Sequence, residues 1–300
     1  MTSKKLPLLS IEIWATLLVA LSGILYGFMG FLGTKIFTVA HCSVPNMLFW
    51  RFLVASIWII SYSLYKKENL FNNLPKTKTL IGVFLLGSIF YSGGSAFYFL
   101  AANETGTGPA MVIFFSYPMF VAIFSWFMNN WKMNIFAMGA LLAIMIGLIM
   151  LRGQGETALS IVGITFAMIA ALSYASYIFN SKQNVSSIHS SLSTILICVG
   201  NTVLFFIVAL VTHSLTLPDS LHAWIYITLL GIFVTAIPIQ LMLHGLKIIS
   251  SLKASILSVL EPAVTLIVGV ILLNESMSSL QIVGVAIILL GAVLIQFEKE

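Results

Sequence analysis

The feature that most constrains this chain is its division into ten stretches of 18 to 24 mostly apolar residues: 12–33, 45–65, 79–101, 108–128, 134–151, 159–181, 190–213, 221–244, 254–273 and 280–297. A bilayer core about 30 Å thick is crossed by roughly 20 residues of α-helix. Inside lipid every backbone polar group must be paired within the protein, so only helices and closed barrels can span. A barrel requires alternating apolar and polar positions, whereas Ala140–Leu151 is apolar throughout. The sequence therefore predicts an all-α polytopic membrane protein with ten transmembrane helices. Composition closes the other routes. Only 8% of the residues are charged, against about 25% in a soluble domain. The 60% hydrophobic content excludes a disordered chain. Lys4 and Lys5 precede an apolar run, but Ile11–Gly33 is too long for the core of a signal peptide and is read as the first span.

The few charges orient the spans. With the N-terminus inside, Lys4, Lys5, Lys66, Lys67, Lys76, Lys78, Lys132, Lys182, Lys247, Lys253 and Lys299 fall on the cytoplasmic side, and only Lys35 and Arg152 on the other. That is 11 against 2, with Arg51 left inside a span to complete the 14 cations. The asymmetry obeys the positive-inside rule. It puts both termini in the cytoplasm of a multi-pass protein of the cytoplasmic (inner) membrane. The net charge of +5 is thus a matter of topology and implies no nucleic-acid partner. Cys42 and Cys198 form no metal or disulfide motif, and the five histidines show no close pairing. No metal or cofactor is expected.

Sliding the chain by 144 residues aligns Gly87 with Gly231, Ala110 with Ala254, Pro118 with Pro262, Asn130 with Asn274 and Gly147 with Gly291. The pairs fall in corresponding spans, which predicts two five-helix repeats, 1–155 and 156–300. Five is odd, so the second repeat enters the membrane inverted. Inverted repeats favour a carrier whose central site opens to alternate sides.

Several segments carry a family resemblance. In the second half, Ser250-Ser251-Leu252-Lys253-Ala254-Ser255-Ile256-Leu257-Ser258-Val259-Leu260-Glu261-Pro262 is followed by Leu272-Leu273-Asn274-Glu275, with Gln281, Gly284 and Gly291 in the last span. In the first half, Phe49-Trp50-Arg51-Phe52 opens the second span and Tyr117-Pro118 takes the Glu-Pro place. Over nearly its full length the chain resembles the EamA family of the drug/metabolite transporter superfamily. It departs from that pattern at Asn130 and Trp131, where the family often has Gly-Glu. The resemblance implies two inverted five-helix repeats and a secondary transporter of small metabolites, often amino acids carried outward. An uptake carrier or exchanger is the alternative.

Ionisable groups inside spans mark candidate sites, because lipid gives them no solvation. Arg51 is a candidate for a substrate carboxylate, and Glu261 for a substrate amine or a coupled proton. Trp50 adjoins Arg51. Tyr91, Ser95 and Tyr98 share one face of the third span, Tyr174 and Tyr177 one face of the sixth, and Ser258, Glu261 and Thr265 one face of the ninth. Gln240 and His244 follow on the eighth. The candidate substrate-binding set is Arg51, Trp50, Tyr91, Ser95, Tyr174, Tyr177, Gln240, Ser258 and Glu261. Pro118, Pro238 and Pro262 are candidate kinks for gating. The expected partners are a small-molecule substrate, the bilayer and, through Glu261, a coupled proton. Enzyme readings are disfavoured: Asp219 is the only aspartate, no HExxH is present, and Ser92 or Ser95 with His244 matches no known pattern. A channel lacks any filter-like segment.

Overall fold

The computed structural model describes residues 8–40, 42–70, 74–105, 107–129, 134–151, 160–185, 187–273 and 278–297. Among them are nine helical spans long and apolar enough to cross a membrane: Ile11–Thr38, Val44–Tyr65, Thr77–Thr105, Pro109–Asn129, Ile161–Asn184, Ser190–Val211, Leu221–Leu246, Ser251–Leu272 and Ser279–Phe297. The shorter apolar helix Ile135–Leu151 lies fifth in order. The described residues thus contain the ten expected helices and no strand. Large side chains such as Leu17, Ile57, Trp126, Ile146, Leu210 and Ile271 are exposed on many spans. So much exposed apolar surface suits contact with lipid and not with water. The tight links around Asn130–Met133 and Asn274–Met277, the cations Lys4, Lys5, Lys132, Arg152 and Lys299, and Glu156 lie outside the described residues.

The first span is longer than expected, reaching Thr38 instead of Gly33. It is interrupted at Gly27 and Phe28, where helix Leu8–Tyr26 gives way to Met29–Ala40. Lys35 therefore sits on a helix, its ammonium 5.8 Å from the Phe31 ring centroid. A long cationic side chain near a helix end can reach the interface in this way.

Four other spans are irregular. The third contains a π-helical turn at Leu86–Tyr91, and the eighth contains one at Ile232–Ala236. The fourth breaks between helices Thr107–Phe114 and Tyr117–Asn129, and the ninth between Ser251–Ser258 and Leu260–Leu273. The three candidate kink prolines follow these irregularities. Pro118, Pro238 and Pro262 are the second, second and third residues of helices Tyr117–Asn129, Ile237–Leu246 and Leu260–Leu273. Pro118 and Pro262 fall in first turns, where a missing N–H removes no hydrogen bond, whereas Pro238 follows the π-turn within one continuous helical span. Each therefore stands beside an interruption of its span, the place where a candidate kink was expected.

The fifth and tenth spans pack on one another at the edge of the bundle through small residues. A Cβ at Gly147 would lie 2.7 Å from Ile288 Cγ1 and 2.8 Å from Gly284 O, and one at Gly291 would lie 3.0 Å from Ile144 Cγ1. Close backbone approach of this kind is how helices gain contact area in lipid, where the hydrophobic effect gives no drive between them. Gly147→Val should therefore lower stability by about 1–3 kcal/mol. Gly139→Val, whose Cβ would meet only Leu294 Cδ1 at 3.8 Å, should leave it nearly unchanged. Thermal melts of the purified variants in detergent compare the two.

Candidate functional site

A cavity of about 320 Å³ opens between spans one, two, three, four, six and nine. Its size lies at the lower end of the range for small-molecule sites. Arg51, Tyr91, Tyr174 and Glu261 line it at mid-span depth, and it runs toward Phe37, Val44, Asn103 and Met111 at one end of the bundle. Thr34 and Asn103 on its wall are exposed, which marks the mouth.

Arg51 is 1% exposed, yet it is well satisfied. Its Nε donates to Thr235 Oγ1 at 2.5 Å, Nη2 donates to Val234 O at 3.3 Å, and Nη1 approaches Met29 Sδ at 3.1 Å. The guanidinium also lies 5.2 Å from the centroid of Phe52. Thr235 in turn donates to Leu230 O at 2.8 Å. Both carbonyls belong to the stretch around the π-turn of the eighth span, where the wider turn displaces backbone groups from their usual partners. Glu261, in the first turn of its helix, shares the cavity with Arg51, but no ion pair between them is found among the described residues. A guanidinium and a carboxyl group thus face one small volume with no ion pair between them among the described residues.

Rings make up most of the remaining wall. Tyr26, Tyr91, Tyr98 and Tyr174 line it with Phe99, Phe114 and Phe115. Tyr26 and Tyr91 hydroxyls meet at 3.0 Å. Tyr174 contacts Tyr91 with centroids 6.0 Å apart and Tyr117 at 4.8 Å.

Of the nine expected binding residues, the structure places Arg51, Tyr91, Ser95, Tyr174 and Glu261 on the cavity wall. Four are elsewhere. Trp50 is one residue from Arg51 and so turned about 100° around the helix. Its indole Nε1 donates to Thr216 O at 2.9 Å and its ring packs edge-on against Trp224. With Asn46, which donates to Thr216 Oγ1 at 2.7 Å, it anchors the segment between the seventh and eighth spans. Tyr177 lies one turn below Tyr174, 1% exposed and 5.0 Å from the Tyr91 ring, behind the wall. Gln240 donates to Ser191 Oγ at 2.9 Å and joins the eighth span to the seventh. Ser258 donates back to Ala254 O at 2.9 Å. The break at Val259 disrupts the helical spacing that would have put Ser258 on the face of Glu261, whereas Thr265, beyond the break, does line the cavity. None of the three prolines lines it.

The first span was missed. Tyr26, Met29, Gly30, Gly33, Thr34 and Phe37 line the cavity, and their only sequence signal is a face of small and aromatic residues at helical spacing.

The opposite end of the bundle is filled. Tyr117, 1% exposed, donates to Ser255 O at 3.3 Å, and Lys182 Nζ donates to Ile249 O at 2.9 Å. Lys253, 2% exposed, pairs with Glu12 at 2.6 Å, joining the start of the ninth span to the start of the first.

A family model described as the EamA-like transporter family matches residues 13–153 and again residues 161–297. The chain belongs to the EamA-like transporter family. Among relatives, it is 23% identical to the uncharacterized transporter sll1319 of Synechocystis, over 87% of this chain and 82% of that protein. It is 22% identical to the uncharacterized inner membrane transporter YicL of Salmonella typhimurium, over 94% and 95%. With the uncharacterized transporter YxxF of Bacillus subtilis it shares 24% identity, over 95% and 90%. A crystal structure matches the fold with a TM-score of 0.78 at 18% identity, covering 93% of this chain and 95% of that one. The family member is thus a multi-pass membrane transporter, which implies lipid contact and a small-molecule substrate and points to a transporter rather than an enzyme.

The Lys253–Glu12 pair is open to a direct test. Glu12→Ala would strand a nearly buried ammonium. A fully buried pair costs roughly 3–5 kcal/mol to break in this way; because Glu12 is 41% exposed, the expected loss is smaller, about 2 kcal/mol. The double variant Glu12→Ala/Lys253→Met should recover most of it. Melting temperatures of the single and double variants measure the difference.

Proposed function

We propose that this transporter carries amino acids, or related zwitterions with an apolar body, outward across the cytoplasmic membrane by alternating access between two inverted five-helix repeats. The observation that carries the substrate class is the pairing of Arg51 and Glu261 on one cavity wall with no bond between them. A carboxylate suits the guanidinium and an ammonium suits Glu261, while an apolar body suits tyrosine and phenylalanine rings that present both a face and hydroxyls.

Several features support the repeat. Gly87 of the third span packs on the seventh, where its Cβ would lie 2.7 Å from Ile197 Cα. Its partner at offset 144, Gly231 of the eighth span, packs on the second, 2.9 Å from Arg51 O. Gly147 and Gly291 likewise meet each other's spans. The π-turns and the breaks in spans four and nine recur near the same offset, with Phe115 and Val259 both at break points. A duplicated chain related by an approximate two-fold axis has reciprocal contacts of this form. Outward direction is supported by the family resemblance, and the cytoplasmic termini by the 11 to 2 distribution of cations. In that orientation the cavity mouth faces outward and the Lys253–Glu12 end faces the cytoplasm.

The test is counterflow in proteoliposomes with L-phenylalanine, L-leucine, L-methionine and glycine as labelled solutes. Flux above empty liposomes is expected for the three with apolar bodies; none for any solute would remove the substrate assignment. Arg51→Met should raise KM for a transported amino acid about 10- to 100-fold, the range for losing a hydrogen bond between charged groups. Glu261 is also our candidate for the coupled proton. Glu261→Gln should abolish acceleration by an imposed pH gradient while exchange persists at a raised KM, and flux that still follows the gradient would exclude Glu261 from coupling.

A further inference from the structure

Each π-turn is held by a polar side chain from the other half of the chain. In the third span, Asn201 of the seventh span donates to Gly87 O at 2.9 Å and accepts from Ser92 at 2.5 Å. In the eighth span, Arg51 of the second span donates to Val234 O and to Thr235. All four side chains are nearly or wholly buried: Asn201 0%, Ser92 1%, Arg51 1%, Thr235 0%. The two clasps differ in one respect. Asn201 is neutral and off the cavity, whereas Arg51 is charged and on its wall.

A neutral amide therefore suffices to hold a π-turn in this protein. An arginine in the other clasp brings a desolvation cost that holding a π-turn alone does not require. The added charge has a use only on the cavity side. What fixes the guanidinium there is chiefly Thr235. Its contact with Nε is the shortest of the three that Arg51 makes, the bond to Val234 O is long at 3.3 Å, and thioether sulfur is a weak acceptor. Thr235 is itself locked, because its own proton goes to Leu230 O at 2.8 Å, leaving oxygen lone pairs for Nε. Of the five donors of a guanidinium, one on each terminal nitrogen remains beyond these contacts, and a carboxylate accepts from such donors.

We infer that Thr235 is the positioning residue for Arg51, and that through it the π-turn of the eighth span takes part in recognising the substrate carboxylate. The inference rests on the reading of Arg51 given under the proposed function. Thr235 touches no substrate; it sets the orientation of the group that does.

The test uses the full-length protein and has two arms. Arg152 is the only other arginine in the sequence, so an Arg152→Lys background with ¹⁵N-arginine labelling gives one Nε–H resonance, that of Arg51. Thr235→Val should shift it and hasten its exchange with water, and Thr235→Ser should return it close to its starting position. An unchanged resonance in Thr235→Val would overturn the inference. The second arm compares transport of L-phenylalanine with that of L-phenylalaninamide. Thr235→Val should raise KM for the acid about tenfold, as expected for misplacing a charge-assisted bond, with the amide little changed and Thr235→Ser near wild type. Equal loss for acid and amide, or failure of the serine variant to rescue, would show a merely structural role. Ser92→Ala, in the other clasp, should leave the acid-to-amide ratio alone; a shift equal to that of Thr235→Val would equally overturn the inference. If the wild type does not distinguish acid from amide, or moves neither, the carboxylate reading of Arg51 falls, and the resonance arm alone decides whether Thr235 positions it.

Discussion

A backbone carbonyl released from its helix inside a bilayer has no water to turn to, and this constraint organises the molecule. Five of the ten spans are irregular: the first, third, fourth, eighth and ninth. Their irregular stretches are met by side chains, many from neighbouring spans. Asn201 meets Gly87 O, Arg51 meets Val234 O, Thr235 meets Leu230 O, Tyr117 meets Ser255 O, and Ser22 donates to Pro238 O at 2.8 Å. The unbroken spans two, six and seven supply rigid surfaces against which the broken ones are held. Non-helical backbone at membrane depth is tolerated only where protein or a cavity covers it, and four of the five irregular spans border the cavity.

This requirement changes how polar residues in the spans are to be understood. A serine, asparagine or arginine in an apolar stretch can serve a substrate or serve a carbonyl, and sequence gives the two the same signature. Asn201, Ser92 and Ser258 serve carbonyls or each other and stay behind the wall. Arg51 holds a carbonyl of the eighth span and also lines the cavity, so both uses are open to it. That double engagement ties the charge most suited to a ligand to an element of the opposite half.

The architecture was legible in the sequence because the bilayer imposes a length and a polarity on every span. Ten apolar runs gave ten helices, with errors confined to ends such as Gly33 against Thr38. The third-span stripe of Tyr91, Ser95 and Tyr98 reached the cavity because the helix after its π-turn is regular. The ninth-span stripe lost Ser258 because Val259 interrupts the helix, and no local signal marks that break apart from Pro262 three residues on. Trp50 was expected beside Arg51 on adjacency alone, which a helix converts into a different face. The contribution of the first span was hidden for another reason. Gly30, Gly33 and Met29 line the cavity without polar chemistry, and nothing in a small apolar residue distinguishes a wall from a packing surface.

The filled end of the bundle shows why a charged pair is a suitable contact to break and remake. In the alternating-access reading, the start of the ninth span must separate from the start of the first when the cavity changes sides, and Lys253–Glu12 is the bond between them. An apolar contact broken there would expose surface at roughly 25 cal/mol per Å² with nothing returned. An ion pair broken into water loses its Coulomb attraction but regains the hydration of both ions, so its net worth once hydrated falls to about 0–1 kcal/mol. Closed, with Lys253 2% exposed, the pair is held in a less polar setting and constrains geometry strongly. The carboxylate remains partly hydrated at 41% exposure, so water already reaches one partner before the other is released. A latch of this kind is firm while dry and easily parted once wetted, so the two end states can lie close in free energy, as a reversible carrier requires.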